Sequence, residues 1–175
     1  MSLYPYEAAK LLTALRNDVG FPTFGLLVQV LFAHVLLRLG GNVLAIKHPG
    51  HPDIHAMLAG QLYNVEVETA TRKTLPRQLE QRDLDVLQNL NEGERGYYCV
   101  LDCGPPLAWL CVDVESLGSR ADGRLRLSLL RGYSNRELSL DCTDDFSRLV
   151  LQEARSLHRL TYDVLRREAL SGCPR

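Results

Sequence analysis

The chain has 175 residues and a mass of 19.7 kDa, with 46% hydrophobic and 23% charged side chains, which is the length of one compact domain with enough apolar content to bury a core. That composition excludes a disordered polypeptide. With 20 basic and 21 acidic side chains the net charge is −1, so bulk charge cannot drive nucleic-acid binding, and any such binding needs a local patch.

The basic residues are 17 Arg and 3 Lys, so clustered positive charge is mostly planar guanidinium, which suits phosphate. Five scattered cysteines without a CxxC pair make neither a disulfide framework nor a zinc knuckle. They fit a reducing cytoplasm. The apolar stretch 26–39 contains Gln29, His34 and Arg38, and reads as a core helix rather than a membrane span. No basic segment leads into an apolar one at the start of the sequence, so a cytoplasmic protein without a membrane partner is expected.

In chain order, residues 6–16 form an amphipathic helix with Ala9, Leu12 and Leu15 inward. After a turn at Gly20, Phe21 and Pro22, a helix over 23–39 is apolar on most faces and ends at Gly40, Gly41 and Asn42. The period then becomes strand-like: a strand over 43–46, a break at 47–50, and strands over 52–58 and 62–69 around an Ala59-Gly60 hairpin turn. Thr74 caps a helix with Pro76 in its first turn and an apolar stripe down to Leu90.

Strands over 97–103 and 107–114 follow, joined by Gly104, Pro105 and Pro106. The Arg/Leu alternation over 124–130 predicts a half-buried strand, and a turn at 132–135 leads to a second strand over 137–142. A long helix over 144–170 closes the chain, its stripe running through Phe146, Val150, Ala154, Leu157, Thr161 and Val164. This is an α/β pattern: a core over 1–119 and an accessory β-hairpin and helix over 120–175, in the same compact domain.

Alternation puts Asn64, Glu66 and Glu68 on one strand face and Tyr63, Val65 and Val67 on the other. An Ala59-Gly60 turn sets Asp53 opposite Glu66, and a turn shifted by one residue sets it opposite Glu68. Either way three carboxylates and His55 share a face. Like charges directly opposed destabilise a sheet, and a divalent cation relieves them. Mg²⁺ takes hard oxygen ligands, commonly one or two carboxylates, and keeps several waters.

The succession of helix, strand, His51-Pro52-Asp53-Ile54, turn, Val65-Glu66-Val67-Glu68-Thr69, helix and strand resembles the core of the PD-(D/E)xK nuclease superfamily, the restriction-endonuclease-like fold, over about residues 24–114. That resemblance implies a mixed central sheet flanked by helices. It further implies Asp53 and Glu66 as ligands of Mg²⁺ or Mn²⁺, with the Val67 carbonyl a further ligand, and DNA as the substrate. Because cutting both strands takes two sites and the apolar stripe over 144–170 suits a two-fold interface, a homodimer is expected. Glu68 stands where the family usually has its catalytic Lys, and Lys73 is the candidate for a relocated one. Gln29 matches the polar residue often found on the first core helix, and Gln78 is a second match of that kind.

Arg72, Lys73, Arg77 and Arg82 form a basic run beside the carboxylates, suited either to phosphate or to a solvated helix face, with Arg72 and Arg77 the candidates to steady substrate. Arg120, Arg124, Arg126, Arg131 and Arg136 form a second cluster, suited either to a DNA backbone or to edge-strand protection. His48 and His51 read as loop histidines, and Trp109 as core. The leading expectation is metal-dependent phosphodiester cleavage, with Glu68 or Lys73 activating water. The rivals are a catalytically degraded module of the same fold that binds nucleic acid or a protein, and a structural protein that dimerises through its last helix.

Overall fold

The computed structural model describes residues 3–46, 52–70, 87–88, 90–118, 127–153 and 162–171. Helix α1 (Tyr4–Val19) buries Ala8, Ala9, Leu12 and Leu15. Only Gly20 separates it from α2 (Phe21–Arg38), and its φ of 78° is one that a glycine adopts without strain. Pro22 does not end the turn, as the sequence suggests, but sits in the first turn of α2, where a missing N–H costs nothing. By length and composition α2 could cross a membrane, yet 67% of it is buried within the fold, as a core helix would be.

Among the described residues, β1 (Asn42–Ile46), β2 (Ile54–Leu58), β3 (Gln61–Ala70), β4 (Glu94–Asp102) and β5 (Ala108–Asp113) form one mixed sheet in chain order. β3 and β4 run parallel, and the other neighbours are antiparallel. In β1, Val43 and Ile46 are both buried although three residues apart, which a regular strand forbids. A bulge between Val43 and Ala45 resolves this by leaving Leu44 as the extra, exposed residue.

One sheet face carries Ile54, Ala56, Val65, Tyr97, Cys99, Leu101, Trp109 and Cys111 against α1, α2, α5 (Arg136–Glu153) and α6 (Tyr162–Leu170). Trp109 lies in this core, as expected, between Phe32 and Phe146 at ring-centroid distances of 4.2 and 5.2 Å. His34 on α2 donates from Nε2 to the Leu165 carbonyl at 3.0 Å, and Arg166 donates to the Ile46 carbonyl at 2.9 Å, fixing α6 to α2 and β1. The opposite face carries Tyr98, Val100, Leu110 and Val112, covered by Leu87, α3 (Val114–Leu117) and α4 (Leu127–Tyr133). Cys99, Cys111 and Cys142 are buried, and their thiols are pushed up, that of Cys99 chiefly by burial.

Among the described residues the predicted C-terminal hairpin is not there. Residues 127–133 and 137–142 are helical, in α4 and α5. The turn at 132–135 opens a helix instead: the Asn135 side chain accepts the Leu138 N–H at 3.1 Å, an N-cap. The stripe of the expected long helix then extends backward through Cys142 and Ser139. The described C-terminal residues form α5 and α6, with 154–161 outside the description. Phe146 and Val150 of this stripe are buried in the chain's own core, whereas Val164 is exposed.

α5 also covers the β5 edge of the sheet. Thr143 Oγ1 accepts the Trp109 N–H at 2.8 Å, Ser139 Oγ accepts the Cys111 N–H at 3.0 Å, and the Asn135 N–H donates to the Cys111 carbonyl at 2.8 Å. An edge strand otherwise offers these groups to any other chain.

Two glycines give opposite expectations for the same substitution. A Cβ on Gly96 would sit 2.3 Å from the Leu87 carbonyl oxygen, a backbone atom, whereas a Cβ on Gly25 in α2 meets nothing within 4 Å. Gly96→Ala should therefore destabilise the fold by about 1–3 kcal/mol, an overpacking cost. Gly25→Ala should stabilise it by about 0.5–1 kcal/mol through helix propensity. Urea unfolding midpoints of the two variants should move in opposite directions.

Candidate functional site

The β2–β3 hairpin has the register that a two-residue turn dictates. Ala59 and Gly60 have φ of 51° and 78°, Leu58 pairs with Gln61, and Ile54 pairs with Val65. One step further places Asp53 across from Glu66, the first of the two registers that the sequence allows. Glu66 and Glu68 are half-buried, on the face opposite Val65, and align with Tyr98 and Val100 of β4.

Asp53 is bound into the sheet by its side chain. Its Oδ2 accepts the Val67 N–H at 2.9 Å. Val67 lies two residues beyond Val65, the last β3 residue paired with β2, so its N–H would go unpaired on that side without the carboxylate. Residues in a strand present N–H and C=O to the same side, so the Val67 carbonyl also leaves β3 toward Asp53. Gln29, 4% exposed on α2, donates from Nε2 to the Asp53 backbone carbonyl at 3.3 Å. The sequence-predicted Gln29, Asp53 and Val67 thus meet where β2 begins, with Glu66 across from Asp53 in register. Gln29 reaches them from the core side and holds backbone there.

His55 shares the carboxylate face and pairs in register with Asn64. Buried Asn64 donates to Glu94 Oε2 at 3.1 Å, and the Asn91 N–H donates to the same oxygen at 3.4 Å. Burial pushes the Glu94 carboxyl up, but the hydrogen bonds from Asn91 and Asn64, with His55 nearby, outweigh it and leave it below the ordinary glutamate range. A polar cleft of about 340 Å³ lined by Glu92, Glu94 and Glu115 lies at this end of β4, away from Asp53.

Sequence reasoning missed Asp102 and its pairing with Arg131. Asp102 ends β4 on the carboxylate face, with 5% side-chain exposure, and pairs with Arg131 at 2.8 Å. Arg131 was legible as one of an arginine cluster, but its partner, 29 positions away, was not. Lys73, Arg72, Arg77 and Gln78, and the loop histidines His48 and His51, lie outside the described residues. Among the described residues no three His, Cys, Asp or Glu side chains form a set able to hold a metal.

Comparison of the chain with protein-family models, with curated proteins and with solved structures finds no match.

Two outcomes follow from this geometry. Asp53→Ala removes the acceptor of the Val67 N–H and should cost about 1–2 kcal/mol in urea unfolding, while Asp53→Asn keeps an oxygen there and should cost less. Because the folded Glu94 carboxyl is lowered, its contribution is present above the unfolded glutamate pKa, about 4.3, and is lost as pH falls through the lower folded value. Stability measured against pH should therefore decline less on the acid side in Glu94→Gln than in the parent.

Proposed function

We propose that the chain is a metal-dependent phosphodiester hydrolase of the restriction-endonuclease-like fold, acting on DNA in the cytoplasm, as a homodimer if both strands are cut. The observation that supports this reading best is the position of Asp53, across from Glu66 with its carboxylate on the Val67 N–H. The strand order supports it too: an apolar helix, three antiparallel strands, then a strand parallel to the one that carries the glutamates.

The donors at this place are hard oxygens, two carboxylates and a backbone carbonyl. They fit Mg²⁺ or Mn²⁺ held by one or two carboxylates with waters, and do not fit a cage of three side chains. Asp53 and Glu66 would hold such an ion, with the Val67 carbonyl beside them. When bound, the ion supplies an acidified water and charge for the phosphoryl transition state. Glu68 or Lys73 orients the attacking water or takes its proton, and Arg72 and Arg77 hold the phosphates of the scissile strand. Gln29 fixes the Asp53 backbone, and Asn64 and His55 line the same face.

A second reading, a catalytically degraded module that binds nucleic acid or a protein, is favoured by Glu68 in the usual lysine position. It keeps the fold and the docking surface and loses the cleavage.

Nicking of supercoiled plasmid with Mg²⁺ or Mn²⁺ separates the two. The parent should nick, Asp53→Asn and Glu66→Gln should not, and Lys73→Ala should lose cleavage if Lys73 rather than Glu68 handles the water. Duplex binding without nicking selects the degraded module. Melting adds a substrate-free check. Glu66→Gln should stabilise the metal-free protein by about 0.5–1 kcal/mol, by relieving like-charge repulsion. It should also remove the stabilisation that millimolar Mn²⁺ gives the parent. Identical melts with chelator and with metal in both proteins would overturn the metal site.

A further inference from the structure

Asp102 is a buried carboxylate beside an apolar core, at the C-terminal end of β4. Both its oxygens are engaged: Oδ1 accepts the Gly104 N–H at 3.0 Å and Oδ2 accepts Arg131 Nη2 at 2.8 Å. Taking a carboxylate out of water is costly unless it is paired and hydrogen-bonded, and here it is both.

The pair is lopsided. The Asp102 side chain is 5% exposed and that of Arg131 is 60% exposed, so the anchor is inside and the guanidinium lies at the surface. A guanidinium carries five N–H donors in a rigid planar fork, and Asp102 takes up one nitrogen. Among the described residues no other side-chain partner of Arg131 is seen, and its guanidinium faces solvent from a fixed point. Such an arrangement suits bidentate recognition of a phosphate.

Its place in the fold gives it a target. β3 and β4 are parallel, with Glu68 beside Val100 and Ala70 beside Asp102, so Asp102 shares a face with Glu66 and Glu68 and lies at the same strand ends. A strand spacing of about 4.8 Å and two residues of rise at about 3.3 Å put the Asp102 and Glu68 backbones about 8 Å apart. α4 packs over β4 and β5 on this face and brings Arg131 to that end from the side away from Asp53.

We infer that Arg131 contacts a backbone phosphate of a nucleic-acid strand lying across Glu66 and Glu68, and that Asp102 is the residue that positions it. The inference rests on the phosphodiester reading and deepens it, by assigning a described residue to substrate binding where Arg72 and Arg77 lie outside the description.

The test is fluorescence anisotropy of a labelled DNA duplex and of the matching single strand, in chelator so that nothing is cut, over a series of salt concentrations. Arg131→Gln should weaken binding roughly tenfold, the lower end of the scale for one hydrogen bond to a charged group. It should also reduce the slope of log affinity against log salt by about one unit, because one phosphate is no longer neutralised. Arg131→Lys should restore the slope.

Asp102→Asn keeps the charge of Arg131 but loosens its anchor, so affinity should fall with the slope unchanged. A pair that is merely structural would lower the melting temperature in these variants and leave affinity and slope where they were. Parent-like affinity and slope in Arg131→Gln would overturn the assignment of Arg131, while metal-dependent nicking by the parent would still support the hydrolase reading. Parent-like affinity in Asp102→Asn would overturn the positioning role. A parent that binds neither probe in a salt-dependent way would overturn this inference and the reading beneath it together.

Discussion

A one-residue slip in the β2–β3 hairpin would turn Glu66 and Glu68 into the apolar core and Val65 and Val67 out of it. The register is held at both ends. At one end Ala59 and Gly60 both take positive φ, which closes the hairpin in two residues and pairs Leu58 with Gln61. At the other, the Asp53 carboxylate accepts the first β3 donor that β2 no longer reaches. Exposing valines and burying unpaired carboxylates would together cost several kcal/mol, so the slipped states are excluded. Every position on the carboxylate face, from His55 to Glu68, follows from that one register.

The two faces of the sheet differ in what covers them. On the core side α1, α2, α5 and α6 bring mostly apolar cover, and the buried polar groups there are hydrogen-bonded: the Gln29 amide at Asp53, the His34 ring at Leu165 and the Ser139 hydroxyl at Cys111. On the other side apolar cover from Leu87, α3 and α4 lies over β4 and β5, where Tyr98, Val100, Leu110 and Val112 require it. The neighbouring β3 residues on that face are Asn64, Glu66 and Glu68. The Asp102–Arg131 pair stands at the seam between these halves. A buried carboxylate is tolerable there because the seam brings a guanidinium and a backbone N–H to it.

The parts of the fold that follow from local pattern were legible in the sequence. Alternation and the turn at 59–61 narrowed the partner of Asp53 to Glu66 or Glu68, of which the structure has the first, and the density of apolar residues in α2 was enough to bury that helix. What misled was residues 124–130, where Arg and Leu alternate with the period of a strand but the described residues, from Leu127, open a helix that runs to Tyr133. The signal for helix was present in Asn135 as a cap and in Ser139, Cys142 and Phe146 at helical spacing. Serine in such a stripe reads as polar, however, and its value lies in a bond to Cys111, 28 positions away. Asp102 was hidden for the same reason: its partner is distant in sequence and close only in the fold. The bulge in β1 also escaped notice, since nothing local in Asn42–Ile46 announces an extra residue.

The cover that α5 places on β5 has a consequence for the order of events during synthesis. The strand's outward N–H groups find their acceptors 34 and 28 residues later in the chain, at Thr143 and Ser139. Until those hydroxyls have left the ribosome, Trp109 and Cys111 present an adhesive edge, rich in β-formers, to other nascent chains. Chain elongation at about 5–20 residues per second makes that window a few seconds long. A ribosome stalled between β5 and α5 would hold the protein in its most aggregation-prone form, and completion of a helix, rather than of the sheet itself, is what ends the exposure.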